Sequence, residues 1–407
     1  MSWIDVIGLG EKGMTALETD SLDRVRRAGL VIGADRMIDE LAALDGFAGT
    51  AMPWPKPFLD IIPLIESHRG TPVVVLATGD PLWYGAASTL VRFFTAQEMR
   101  ITPAASGFQL AASRMGWPLH EVETLTVHGR PHERVLRYLA PGAKILALAH
   151  DHASPERIGL LLTEAGYGSA QITALAHIGG AEEARHEAAA DTWASGGITV
   201  PDFHVIAIDC PRRLDGFIPL IPGLPDASYS SDGKLTKAEV RAATLAQLRP
   251  FPMGLLWDLG CGSGSIGIEW MRAAPGARAI GIDMREDRLA VARGNADRLG
   301  VPEWQGMSRA LPAGLEDLPD PDAVFIGGGL SHELIMRVLA RLPEGGRLVA
   351  NAVTLESEAI LLSARQEFGG EMSRIAISRM EAVGRLHGWR PLMPVTQWAI
   401  SKEEGKA

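Results

Sequence analysis

Cysteine is almost missing: Cys210 and Cys261 are the only two among 407 residues. Two cysteines cannot build a disulfide framework, and no C-x-x-C pair or other ligand spacing points to a metal. Long apolar runs are missing too, since none approaches the ~18–20 residues needed to span a bilayer. The N-terminus, MSWIDVIGLG, enters a strand pattern at once, with no basic stretch before an apolar one and no cleavage site. No secretory leader is therefore expected, and a soluble, cytoplasmic protein is. Nor is there a surplus of positive charge: Lys plus Arg total 39 against 49 Asp plus Glu, a net charge of −10. That argues against broad nucleic-acid binding and leaves room for a local basic pocket around an anionic ligand. Short repeats and low-complexity tracts are also lacking.

What remains is ordinary globular material, 46% hydrophobic and 22% charged. At roughly 150 residues per domain the length predicts two or three domains. The sharpest change in composition lies after Cys210, where Pro211, Pro219, Pro222 and Pro225 crowd together. Proline fixes φ and removes a donor, so this stretch reads as a semi-stiff connector over 211–227. The domains on either side are then 1–210 and 228–407.

Both halves alternate short apolar strands with helical patterns. The first-half strands are predicted at Ile4–Ile7, Leu30–Ile32, Val73–Leu76, Ile145–Leu148, Ile172–Leu175 and His204–Ile208. Those of the second half are Leu255–Asp258, Ala279–Ile282, Ala323–Ile326, Arg347–Asn351 and Arg374–Ile377. Such alternation predicts the α/β class, with parallel sheets covered on both faces.

The strongest chemical signal is Asp258-Leu-Gly260-Cys-Gly262-Ser-Gly264, between a strand and a helix. Glycines there let the backbone turn sharply and approach a ligand, at the carboxyl end of the strand. The next strand ends in Asp283, about twenty residues on, where a carboxylate can accept from both ribose hydroxyls. Gly262, Gly264 and Gly267 also spell the dinucleotide G-x-G-x-x-G, so an NAD(P) enzyme with tandem dinucleotide folds is a competing reading. The fourth strand ends in Gly327, Gly328 and Gly329, which suits a substrate lying close to the backbone.

In the first half, Gly8-Leu-Gly10-Glu-Lys-Gly13 spells the same pattern. Its best helix N-cap is Asp20 or Ser21, too late for a pyrophosphate to sit on the helix N-terminus. Three further segments place small and polar residues just after expected strands: ATGDPLWYGAAS (77–88), ITPAASGFQLAASRMG (101–116) and TVHGRPHERV (126–135).

These segments, in this order, resemble the tetrapyrrole methylase family, and LTVHGR is similar to its precorrin branch. The resemblance implies two α/β subdomains with S-adenosylmethionine (SAM) bound between them. Gly79, Asp80 and Ala104 would lie near SAM, with Gly10 in a substrate-facing loop. The Asp258 segment resembles motif I of class I SAM methyltransferases, which are Rossmann-like. By that resemblance Asp258, Gly260, Gly262 and Gly264 cradle the methionine end and Asp283 binds the ribose. Gly306 and Met307, in a loop ending at Ser308, would lie near the adenine, although Met307 departs from the common Gly-Asp pattern. LTKAEVRAATLAQLRP looks like the opening of the decarboxylating precorrin methylases.

The two modules in this order resemble fused precorrin methyltransferases of aerobic cobalamin synthesis. That implies SAM-dependent methylation of reduced precorrin-6 at C5 by the first module. The second would methylate C15 and remove CO₂ from the ring C acetate, giving precorrin-8. Two SAM sites per chain and a homo-oligomer, dimer or tetramer, are expected on the same ground. No triad or metal cluster is needed, because in-line displacement from a sulfonium depends on positioning. The substrate carries many carboxylates, which favours bidentate arginine contacts. Candidates are Arg130, Arg134 and Arg137 beside His128, then Arg379, Arg385, His387 and Arg390. His332 and His387 are candidate general acids, and Arg130 a candidate catalytic cation. A SAM-binding protein with one inactive domain is the remaining alternative.

Overall fold

The short apolar runs become strands because helices cover both sides of them, so nearly every residue along each run is buried. This is seen in a computed structural model that describes residues 2–212 and 215–402. The chain forms two compact units. Unit 1 takes residues 1–132 and 141–213, and unit 2 takes 133–140 and 214–407. Arg213 and Leu214 of the expected connector, Met1, and residues 403–407 lie outside the described residues.

Unit 1 begins with β1 (Ile4–Leu9), β2 (Leu30–Gly33), β3 (Thr50–Pro53), β4 (Val73–Thr78) and β5 (Met99–Thr102). They form a parallel sheet in the order β3-β2-β4-β1-β5. Its two faces bury separate clusters, one around Ile4, Val6 and Val75, the other around Ile7, Val31 and Leu76. The register pairs Gly8 with Ala77 and Leu9 with Thr78, so the turns after β1 and β4 leave the sheet side by side.

A second sheet follows, with β6 (Val122–Thr126), β7 (Lys144–Leu148), β8 (Gln171–Ala176), β9 (Ala184–Ala189) and β10 (His204–Asp209). Its order is β6-β7-β10-β8-β9. The expectation of parallel sheets fails here. Only β6 and β7 run parallel, while β10 pairs antiparallel with β7 and β8, and β8 antiparallel with β9. Apolar strand runs report burial on both faces and carry no information on direction.

Unit 2 holds β11 (Leu255–Leu259), β12 (Arg278–Asp283), β13 (Gln305–Ser308), β14 (Ala323–Ile326), β15 (Arg347–Ala352), β16 (Glu371–Ile375), β17 (Ser378–Val383), β18 (Leu386–Pro391) and β19 (Val395–Ser401). Seven of these form one sheet, β13-β12-β11-β14-β15-β19-β16, and β17 and β18 form a separate hairpin. The first five strands are parallel, and β19 runs antiparallel to β15 and β16. Connections from β11 and β14 lead to opposite sides of the sheet, which makes their carboxyl ends the switch point where α/β ligands bind. The predicted strand Arg374–Ile377 is observed as β16, which begins three residues earlier and ends two residues earlier.

The connector is shorter than its proline content suggests. Leu224 and Tyr229 belong to the core of unit 2. Gly223 and Leu224 donate their N–H groups to Glu269, at 2.6 and 3.3 Å, and the Tyr229 hydroxyl donates to it at 3.0 Å. Arg241, fully buried, donates to the same carboxylate through Nε at 2.8 Å. Among its described residues the stretch holds no strand and only a short 3₁₀ turn at Asp226–Ser228, and its prolines did not prevent docking.

Candidate functional site

Unit 2 brings its two glycine loops into backbone contact. Gly260 has φ +70°, and a Cβ there would lie 2.5 Å from the Gly328 nitrogen. Only glycine allows that approach. The Gly327 N–H donates to the Leu259 carbonyl at 2.8 Å, which closes the gap from the other side. The loop expected to hold cofactor and the loop expected to face substrate are thus neighbours at the switch point.

Helix Ser265–Ala273 starts directly from this turn, with Gly264 at its N-cap. Asp258 lies beneath it, 1% exposed, and accepts from the Gly267 N–H through Oδ2 at 2.9 Å. Its Oδ1 is buried without a hydrogen-bond partner. Burial pushes the carboxyl up to about 7, and nearby Asp283 adds to the rise against the opposing Gly267 bond. A buried acceptor with a vacant lone pair, beside a glycine turn, fits a ligand ammonium of the kind methionine carries. Asp283 ends β12 and accepts from the Gly262 N–H at 3.1 Å and the Arg285 N–H at 3.0 Å. Its position and acceptor capacity fit ribose hydroxyls.

Two residues not singled out in the sequence hold this cradle. Asn295 is fully buried and accepts from the Ser230 N–H at 2.9 Å. Its Nδ2 donates to the carbonyls of Ser230 and Ser263, each at 2.9 Å, tying residue 230 to the glycine turn. Arg288 donates to Asp232 at 2.7 Å and reaches within 3.8 Å of Asp283. A lone Asn and an Arg in a polar helical pattern gave no signal of either role.

The segment 306–308, expected as a loop, is an edge strand, β13. A side chain at Gly306 would meet the Trp304 ring at 2.7 Å, and Met307 packs against the hydrophobic core. His332 begins helix His332–Arg341 and shares a hydrogen bond with Glu367 at 2.8 Å. His387, Arg385 and Arg390 lie on the exposed β17–β18 hairpin, where Arg390 pairs with Glu381 at 3.0 Å. Arg379 is engaged by Asp226 and Glu239, at 3.0 and 2.8 Å. Arg134 pairs with Glu303 at 3.0 Å, and Arg137 donates to the Arg272 carbonyl at 3.0 Å, both inside unit 2. These three arginines serve structure.

In unit 1 the turn after β1 meets those after β4 and β5. A Cβ at Gly8 would run into the Gly79 carbonyl and sit 2.6 Å from the Ala104 nitrogen. The Gly79 N–H donates to Leu9 at 2.7 Å, and the Ala104 N–H to Gly79 at 3.3 Å. Asp80 accepts from the Leu82 N–H at 2.9 Å. Ser106 caps helix Gly107–Met115 in a reciprocal box with Gln109. Gly79, Asp80 and Ala104 are therefore brought together, with Gly10 on the adjoining turn. The helix after that turn is Thr19–Arg27 with Glu18 at its N-cap, two or three residues before the predicted cap at Asp20 or Ser21. A 3₁₀ turn at Gly13–Ala16 separates it from the glycines, so no pyrophosphate-type helix start forms. His128 and Arg130 are exposed after β6, the His128 ring lying 5.5 Å from that of His150.

Residues 7–192 match the tetrapyrrole (corrin/porphyrin) methylases, and residues 227–402 match the precorrin methyltransferase domain. A precorrin-6Y C(5,15)-methyltransferase (decarboxylating) from Sinorhizobium sp. is 42% identical over 402 residues, covering 98% of this chain and 96% of the relative. The chain belongs to this family.

The Mycobacterium tuberculosis H37Rv relative of the same description is 37% identical over 403 residues, covering 98% and 100%. The solved C-terminal domain of precorrin-6Y C5,15-methyltransferase from Rhodobacter capsulatus is 44% identical, covers 46% of this chain and all of that one, and has a TM-score of 0.44. Membership joins a tetrapyrrole methylase fold to a methyltransferase-like α/β fold and makes the chain a SAM-dependent methyltransferase of cobalamin biosynthesis. The NAD(P) oxidoreductase reading is thereby set aside. Among the described residues, no helix is long and apolar enough to cross a membrane.

Proposed function

We propose that the chain methylates reduced precorrin-6 at C5 and C15 and removes CO₂ from the ring C acetate, yielding precorrin-8. The observation that carries the SAM chemistry is the buried Asp258 carboxylate with its vacant Oδ1, set beside the Gly260–Gly264 turn and Asp283. Each unit has its own SAM site: Asp258, the glycine turn and Asp283 in unit 2, and Gly79, Asp80 and Ala104 in unit 1. SAM supplies an electrophilic methyl group. The residues of this chain orient it, exclude water and hold the substrate carboxylates. Unit 1 acts at C5. Unit 2 acts at C15 and on the acetate, with Gly327 and Gly328 letting the macrocycle approach the backbone. Exposed Arg130, Arg385 and Arg390 and the His128 edge contact the polyanionic substrate. The chain works as a homo-oligomer in the cytoplasm.

The test is incubation of the full chain with reduced precorrin-6 and SAM, following product mass. Two methyl groups gained and one CO₂ lost are expected. A product without methyl gain would overturn the reading.

A further inference from the structure

Unit 1 carries a charged cluster that the SAM turns leave unused. Glu11 lies just past β1, Arg36 in the first turn of helix Asp35–Ala42, and His177 just past β8. Arg36 forms an ion pair with Glu11 Oε1, and His177 Nδ1 donates to Glu11 Oε2 at 3.2 Å. Arg36 also donates to Thr78 Oγ1 at 3.3 Å, one residue before Gly79. Its guanidinium lies 4.9 Å over the Phe203 ring, against which the His177 ring packs at 5.9 Å. The Glu11 side chain is 12% exposed and that of His177 27% exposed. His177 has φ +45°, an unusual backbone for a residue with a Cβ. It is held there by its N–H on the Phe203 carbonyl at 3.1 Å and by the Gly180 N–H on its own carbonyl at 2.9 Å. Strained backbone of this kind concentrates at functional positions.

An ionised carboxylate only accepts, so the imidazole proton of neutral His177 sits on Nδ1 and leaves the Nε2 lone pair available. Methylating a ring C–H carbon releases one proton. The carbon's π pair forms the new C–CH₃ bond, and the S–CH₃ pair stays on sulfur. The C–H pair then returns to the conjugated ring as the proton leaves.

We infer that His177 Nε2 takes this proton in unit 1. Glu11 fixes the tautomer and stabilises the imidazolium, and Arg36 positions Glu11. The inference rests on the methyltransferase reading of unit 1 and adds to it a catalytic residue.

The test uses the full chain, ¹³C-methyl SAM and reduced precorrin-6. His177→Asn retains a residue type that tolerates positive φ. It should slow one of the two methylations by ~100-fold or more, the usual scale of general-base loss. SAM binding by calorimetry should stay unchanged, the other methylation should persist, and added imidazole should restore part of the rate. Independently of turnover, ¹⁵N resonances of the His177 ring should report the Nδ1–H tautomer in the wild type and a mixture in Glu11→Gln. Full rate in His177→Asn, or a loss that tracks lost SAM binding, would overturn the proton role alone. A wild type that adds no methyl group would overturn the underlying reading with it.

Discussion

Residues 8–13 and 262–267 carry the same G-x-G-x-x-G letters, yet the chain leaves them in different ways. In unit 2 the glycines run straight into helix Ser265–Ala273, with Asp258 behind and Asp283 beside. In unit 1 they are followed by a 3₁₀ turn and a later helix, and Gly8 packs on the backbone of Gly79 and Ala104. The glycines permit close approach in both places. The helix start and the flanking acids set the two apart. Only in the second unit do two carboxylates and a helix N-terminus converge on the glycines, which is why the proposed ligand is placed against them there.

The largest expected effect on this contrast comes from Asp283→Ala. Calorimetric SAM stoichiometry should fall from two per chain to one, because Asp283 belongs to unit 2 alone; loss of both would mean a single shared site. Next come the paired substitutions Gly260→Ala and Gly8→Ala. Each forces a Cβ into backbone, and should lower stability by ~2 kcal/mol or more in thermal unfolding, with loss of one methylation each. A tolerated Gly8→Ala would show that the first turn is loosely packed after all.

A smaller effect concerns pH. Asp258 has its folded pKa raised to about 7 from 3.8, so between those values the folded state holds a proton that the unfolded state has lost. Stability of ligand-free unit 2 should therefore fall as pH rises from about 4 to 7. Asp258→Asn should remove that slope, gaining on the wild type at pH 8 and not at pH 4 in parallel denaturant titrations. The smallest effect is expected for Arg390→Ala. It loses an exposed pair with Glu381 and should stay within about 0.5 kcal/mol of wild type in the same titrations.

The interior strands and the nucleotide-type turn were legible because buried strands and glycine turns leave local marks. The short edge strands were not. β3 (TAMP) and β9 (ARHEAA) are partly exposed and lack an apolar run, and the antiparallel placement of β10 and β19 depends on partners remote in sequence. The Asp258–Asp283 pairing follows from one βαβ spacing. By contrast, Glu11 and His177 stand 166 residues apart, and Asn295 lies 65 residues from Ser230. No periodicity links such positions; only the folded sheets do. The arginines misled for a related reason. A substrate rich in carboxylates makes every arginine a candidate, and carboxylates of the chain itself had already engaged Arg134 and Arg379.

Glu269 decides where this polypeptide can be divided. A fragment beginning just before Ala238 would keep the buried Glu269 and Arg241 but lose Gly223, Leu224 and Tyr229, which complete their hydrogen bonds. The ion pair itself survives, but each lost hydrogen bond to a buried charge is worth ~1.5–3 kcal/mol, together a large part of the stability of an ordinary domain. The match to the precorrin methyltransferase domain begins at 227, whereas the buried Glu269 carboxylate draws its donors from as far back as Gly223. A cut intended to free the second unit therefore belongs on the N-terminal side of that glycine, and it would still leave behind residues 133–140, which the same unit holds.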